Sequence, residues 1–306
     1  MRREVKSEKV TWIDIKNPKQ DDLEYLRREF SLCPLVLKEY LPSIKRSKVE
    51  DFKTYLFIVI HFPIFNPRMR RTNSAELDII LFKDTIITSH KKNFLQLEKL
   101  FEDCSLHDHC RKYYLRKNAV FLLYQILDNL IDARMPMLDH IADHVEYIEE
   151  QVFGDKEEEK MLKEISIVKR DIINFRKTIK PQRTVLESLA RITPRFSDED
   201  MSVYSHEVIG SNIKIWNNVE NHKEMIEALE HTNESLLSHK LNETMKILTA
   251  FSVMMLPLTL IASVFGMNVV TGMPFTKNPF GFWLIIMMMF VTIVFSLIFF
   301  KFKKWL

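Results

Sequence analysis

The sequence predicts an α+β domain, a mixed sheet with helices, followed by a long stalk helix and a two-helix transmembrane hairpin. Three observations carry this prediction. Two apolar runs, Ile247 to Phe265 and Asn278 to Phe300, contain no charged residue, and about 20 mostly apolar residues cross roughly 30 Å of hydrocarbon. A helical periodicity runs without proline from about Met201 into the first run. Strand-like segments, rich in β-branched and aromatic residues, are confined to about the first 95 positions.

The elements follow in chain order. Val10-Thr-Trp-Ile-Asp-Ile reads as a strand and Asp21 to Phe30 as a helix. Tyr55 to Phe62 has the composition of a buried strand, and Leu77 to Phe82 pairs with Thr85 to His90 across Lys83-Asp84. From about residue 94 the pattern becomes helical. Asn118 to Phe153 places Val120, Leu123, Leu127 and Leu130 at helical spacing, with a kink or break expected at Pro136 and a stop at Gly154. Glu157 to Ile192 is a second, highly charged helical segment, with the same kink or break expected at Pro181. A third carries Ile213, Trp216, Val219, Ile226, Leu229, Leu236 and Leu237. A continuous helix from about Met201 to Phe265 would be roughly 98 Å long. Propensity alone does not hold such a helix, so packing against copies of itself is expected. The implied organisation is an α/β domain over 1–115, long helices over 116–200, a stalk over 201–246 and spans over 247–265 and 280–300. An outer loop over 266–279 joins the spans, and a basic tail covers 301–306.

Charge sets the orientation and excludes one class of partner. From Ile247 onward there are no acidic residues, only Lys277, Lys301, Lys303 and Lys304; removing those four from 44 basic residues leaves 40 against 41 acidic ones. A near-neutral domain argues against nucleic-acid binding, which needs a net basic face. Lys240 and Lys246 flank the first span and Lys301, Lys303 and Lys304 the second, so both termini are expected inside the inner, cytoplasmic membrane. The opening Met1-Arg-Arg-Glu-Val has no apolar core and does not read as a signal peptide. Cys33, Cys104 and Cys110 are an odd set in that compartment, so no disulfide framework is expected.

Polar and small residues in and just before the first span fall into one stripe. Asn242, Met245, Thr249, Ser252, Leu256, Thr259 and Ser263 follow one another at steps of three and four, which holds them on one side of a supercoiled helix. Gly266-Met267-Asn268 stands at the outer end. Serine and threonine in a membrane helix also bond their own backbone or serve packing, and each single position is as well explained that way. The whole stripe, with amides at both ends, reads as the wall of a water-filled path. Pro257 lies within the span and frees a carbonyl there. Mg2+ keeps several of its waters, and uncharged amides and carbonyls can hold the hydrated ion. An inside-negative potential supplies about 2.3 kcal/mol per charge per 100 mV, twice that for a divalent ion. No ATP is required, and there is no Gly-x4-Gly-Lys loop among only five glycines.

These residues resemble the CorA family of magnesium channels. The matching block is Asn242-Glu-Thr-Met-Lys-Ile-Leu-Thr249, Leu256-Pro-Leu-Thr-Leu-Ile-Ala-Ser263, Gly266-Met-Asn268 and the closing Lys303-Lys-Trp-Leu306. The resemblance covers nearly the whole chain and implies a homopentamer in the bilayer whose first spans line the pore. It implies an outer ring of Asn268 and the Gly266 carbonyl. It places Asn242, Met245, Leu248, Leu256 and Thr259 along the conduit, with Met245 and Leu248 near a hydrophobic gate. Mg2+ would be both the transported and the regulatory ion, Co2+ and Ni2+ are further candidate ions, and no organic cofactor is implied. Inter-subunit divalent sites would sense internal Mg2+. An ungapped match sets Tyr204-Ser-His-Glu207-Val-Ile-Gly210-Ser211 on the family's acidic stalk stretch, so Glu207 replaces one carboxylate and Gly210 loses another. Asp143 lies in a segment similar to the acidic helix that pairs with it. Two further departures are the lack of an acidic residue in Val269-Val-Thr-Gly-Met-Pro274 and Phe265 where a tyrosine is common.

Other clusters are weaker. Asp139, His140, Asp143 and His144 have metal-ligand spacing on one helical face, but solvated polar residues are the more economical reading. Cys104-Ser-Leu-His107-Asp-His109-Cys110 reads as a turn between helices, and Glu157-Glu-Glu159 as a solvated helix start. Three functions remain in play: a Mg2+ channel, a transporter of the related zinc-handling branch, and a membrane-anchored coiled coil. Met267 is unaltered where the zinc branch varies, and the coiled coil leaves the stripe without a purpose. An enzyme is not expected, since no nucleophile–base pair stands out.

Overall fold

The computed structural model describes residues 2–41, 46–66, 71–91, 94–154, 158–268, 273–275 and 278–303. Within these residues the chain divides into two compact units, Met1–Glu230 and His231–Leu306.

The first unit is built on a six-stranded sheet. Strands β1 (Arg2–Lys6) and β2 (Thr11–Lys16) form one hairpin, and β3 (Lys48–Asp51), β4 (Leu56–Asn66), β5 (Arg71–Leu81) and β6 (Thr85–His90) form a meander. The spatial order is β1-β2-β6-β5-β4-β3, and only the β2–β6 pair is parallel. Between β2 and β3 the chain forms α1 (Gln20–Phe30) and α2 (Pro34–Tyr40). Their Leu23, Leu26, Val36 and Tyr40 cover one sheet face, against Ile13, Ile15, Phe57, Val59, Ile80 and Ile87. The alternate residues Trp12, Ile58, Ile60, Phe62, Ile79 and Ile86 turn to the other face. That face meets α3 (Leu95–Leu106), α5 (Ala119–Asp132) and α7 (Glu158–Ile192). Coverage on both sides explains why the strands read as continuous apolar runs with poor alternation.

The buried carboxylate of Asp14 on β2 is satisfied within the sheet. The Trp12 indole N–H donates to Thr88 Oγ1 at 3.1 Å, and the Thr88 hydroxyl donates to Asp14 at 2.8 Å. Arg3 pairs with the other Asp14 oxygen at 2.7 Å. Burial would raise the Asp14 carboxyl, but hydrogen bonds from His90 and Arg3 hold it below its ordinary value.

Two prolines of the helical part are treated differently. The long segment from Asn118 breaks at Ala133-Arg134, ahead of Pro136, because the proline occupies the first turn of α6 (Met135–Val152), where its missing N–H is not needed. Pro181, by contrast, lies inside α7 without ending it. Its neighbour Gln182 is fully buried, donating to the His61 carbonyl at 2.5 Å and accepting from Asn212 at 2.9 Å. Ion pairs Arg176–Glu220 and Lys169–Glu230, both 2.5 Å, add further ties from α7 to α8 (Ser202–Phe265). Within this unit α8 buries Val208, Asn212, Ile215, Val219, Ile226 and Leu229, a narrow stripe of about 3.5-residue spacing. Ile213 and Trp216 are only half-buried beside it.

In the second unit, α9 (Gly281–Phe302) follows the apolar end of α8, and both helices are long and apolar enough to cross a membrane. Lys277, Val269 to Gly272 and the closing Lys304-Trp-Leu306 lie outside the described residues, as does Glu157 of the acidic run.

Candidate functional site

The C-terminal end of α8 is closed by Gly266, whose N–H donates to the Ala262 carbonyl at 2.9 Å. A Cβ at this position would lie 3.0 Å from that same carbonyl, so a side chain fits only if the turn gives way. Gly266, Met267 and Asn268 are all exposed, and among the described residues nothing hydrogen-bonds the Asn268 amide. The start of α9 is pinned more tightly. Phe275 has φ 70°, and a Cβ on Gly281 would come within 2.3 Å of the Phe275 carbonyl oxygen, so only glycine fits there. Asn278 completes this turn by accepting from Phe280 N–H at 3.0 Å. Sequence reasoning missed Gly281, because a lone glycine opening an apolar run gives no local signal.

Along α8, Asn242, Met245, Leu248, Thr249, Ser252, Leu256, Thr259 and Ser263 are all exposed. The shielded residues are Ala250, Met254, Pro257, Leu258, Ile261 and Phe265. At about 100° per residue these two sets fall on roughly opposite sides of the helix. On α9 the shielded set is Gly281, Ile285, Met289, Thr292, Ile293, Ser296 and Phe300, again one face. The two spans therefore pack through their apolar and small residues and leave the polar stripe of α8 uncovered.

The stripe's hydroxyls are oriented by their own helix. Ser252 donates to the Leu248 carbonyl and Thr259 to the Met255 carbonyl, each at 2.9 Å. This is the backbone bonding common to serine and threonine in membrane helices. It engages the proton and leaves the oxygen lone pairs facing outward as acceptors. Such a surface can receive the protons of metal-bound water. Thr292 and Ser296 on α9 make the same bonds, but on the shielded face.

A second feature lies in the first unit. Glu207, exposed near the start of α8, stands close enough to Asp128 on α5 to act on its ionisation. Partial burial, then Asp132 one turn along α5, then Glu207 push the Asp128 carboxyl up to about 6. Sequence reasoning missed Asp128 and Asp132, although an i,i+4 acidic pair on an otherwise apolar helix is a legible signal. Asp143 is exposed on α6, and among the described residues no contact joins it to Glu207. Among the described residues no group of three or more His, Cys, Asp or Glu side chains is arranged to hold a metal.

The remaining clusters resolve as packing or turns. The His140 and His144 rings lie 4.2 Å apart, and His140 meets Phe65 edge-on at 5.2 Å. His107 separates α3 from α4 (Asp108–Tyr114), the turn expected there. Cys104 is buried and its thiol is pushed up to about 12, first by desolvation, which makes it a poor metal ligand.

The α+β domain, the two membrane-length helices and the uncovered polar stripe together fit a membrane transporter. The family model for the CorA-like Mg2+ transporter protein matches residues 7–304, and the chain belongs to that family. It is 31% identical over 297 residues to the cobalt/magnesium transport protein CorA of Thermotoga maritima, covering 97% of this chain and 83% of that one. The solved CorA magnesium transporter of Methanocaldococcus jannaschii has the same fold, with a TM-score of 0.85 at 22% identity over 97% of this chain and 92% of that one. The ZntB cytoplasmic domain of Vibrio parahaemolyticus is similar in fold as well, with a TM-score of 0.63 at 12% identity over 76% of this chain and 90% of that one. The protein is thus a divalent-cation transporter of the CorA family, carried by two apolar helices, in a family whose transported ion is Mg2+.

Proposed function

We propose that the protein is a homopentameric channel admitting hydrated Mg2+, with Co2+ and Ni2+ as further ions, across the inner, cytoplasmic membrane with both termini inside. One observation carries this reading: the amide and hydroxyl stripe of α8 lies on the side turned away from the face that packs. Five copies around an axis would join these stripes into one polar path. The path would end outside at a ring of Asn268 amides and Gly266 carbonyls. Mg2+ surrenders water reluctantly, so neutral acceptors holding its waters are the fitting lining. A carboxylate ring would bind more tightly and slow release. Met245 and Leu248 would form the apolar constriction that closes by excluding water.

Regulation rests on the acidic surface of the first unit. Glu207, now with Asp128 and Asp132, and Asp143 are the candidate carboxylates for divalent ions held across subunit interfaces. Bound Mg2+ would offset their repulsion and stabilise the closed assembly; its loss would leave like charges facing one another and favour opening. The zinc-transporter reading shares the fold, but Met267 stands unaltered in the triplet.

The test uses thiol chemistry on the two faces of α8. With Cys33 and Cys110 replaced by serine, a charged thiol reagent should block Mg2+ flux through Thr259→Cys and spare Leu258→Cys. Block at position 258 with none at 259 would overturn the assignment of the pore face.

A further inference from the structure

At the joint between α5 and α6 a cation is buried without a counter-charge. Arg134 is only 6% exposed, and its guanidinium sits 5.2 Å from the centroid of the Phe62 ring. Its Nε meets no acceptor, and no carboxylate pairs with it among the described residues. Burial alone pulls its pKa down, to about 10, with no acidic neighbour to offset the cost. The segments outside the described residues that adjoin the site in sequence, 67–70 and 92–93, contain no Asp or Glu.

Arg134 lines a cavity of about 130 Å³, walled by Pro63, Phe65, Phe94, Leu130 and Met137, with the polar Gln96 at its edge. The ring of Phe62 offsets part of the desolvation of the guanidinium, but a ring face takes none of its hydrogen bonds. A guanidinium in apolar surroundings is completed by a planar pair of oxygens, which accept two parallel N–H bonds. The volume and the single positive charge limit the guest to a small anion of low charge, because a polyphosphate would bring surplus negative charge into apolar walls.

We propose that this cavity is a binding site for a small oxyanion, a carboxylate or a phosphate-type group, clasped by Arg134. The site lies wholly within the first unit and is independent of the permeation path. An occupant would hold the α5–α6 joint against the end of β4, so binding should appear as stabilisation of the fold by mass action.

The experiment is thermal unfolding of the full-length protein in detergent, titrated separately with sodium acetate and inorganic phosphate against sodium chloride at matched ionic strength. At least one of the two oxyanions should raise Tm saturably, and the comparison identifies which oxyanion chemistry fits. Arg134→Met should abolish the shift, and Arg134→Lys, lacking the fork, should weaken it at least tenfold in midpoint concentration. Met137→Trp, which fills the cavity and keeps the arginine, gives the same readout if Arg134→Met fails to fold, and it should also lose the shift. A shift no larger than that of chloride, or one that persists in Arg134→Met and Met137→Trp, overturns the proposal. So does an anion-insensitive protein whose Arg134→Met variant loses its oligomeric mass, which would assign the partner carboxylate to a second copy of the chain.

Discussion

Asn268 is the residue on which the proposed outer ring depends. Its amide is exposed beyond the end of α8 and engaged by nothing among the described residues. Asn268→Ala should therefore abolish Mg2+ uptake while leaving oligomeric mass and Tm unchanged; uptake near the parent rate would remove it from the pathway. At the acidic cluster the sign of the pH effect can be worked out. The folded-state pKa of Asp128 is raised to about 6 from 3.8, so this group costs stability once pH passes its unfolded value, and the cost is complete above about 6. Asp128→Asn should stabilise the Mg2+-free protein at pH 7.5 by about 1 kcal/mol after allowance for solvent screening, with little effect at pH 4. Protons compete with a bound cation here, so protection of the parent protein by Mg2+ against proteolysis should fade as pH falls below about 6. Glu207→Ala should weaken that protection at pH 7.5, and full protection in the variant would remove Glu207 from the sensing surface.

Among the elements, α8 carries residues of both proposed functions, and its two halves were not equally legible in sequence. The stripe from Asn242 to Ser263 could be read directly, because membrane-length apolar composition makes every polar residue conspicuous. The strands β2, β4, β5 and β6 and helix α1 were legible from β-branched runs and helical periodicity. Strands β1 and β3 and helix α2 were not, since they are short and take their stability from tertiary contacts that no local pattern records. The site shows the same division. Gly266 and Asn268 announce themselves, whereas the need for glycine at position 281 arises only when the Phe275 carbonyl is brought against it. Thr259→Val keeps the shape of the side chain and removes the acceptor, so it should lower Mg2+ flux several-fold with oligomeric mass unchanged; undiminished flux would make that hydroxyl a packing group only. Phe175 on α7 is fully buried in the main core. Its replacement by alanine should cost about 3–5 kcal/mol in the first unit, checked by chemical denaturation.

For the molecule as a whole, the near-neutral first unit and the carboxylate-free membrane segment fit the proposed division between sensing and conduction. No acidic group lies from Ile247 onward, and the candidate sensing carboxylates are all in the first unit, where an ion that binds for long would hold a closed state. The stripe offers only uncharged acceptors, through which, on this proposal, an ion that keeps its water would pass quickly. Drive would then come from the membrane potential, about 4.6 kcal/mol per 100 mV for a divalent ion. The most direct measurement is Mg2+ uptake into proteoliposomes holding the purified protein, under an imposed inside-negative potential and without nucleotide, with Zn2+ and a proton gradient in parallel. Uptake of Mg2+ that scales with the potential and ignores the proton gradient is the predicted result. Zn2+ uptake that follows the proton gradient, with no Mg2+ signal at any potential, would contradict it.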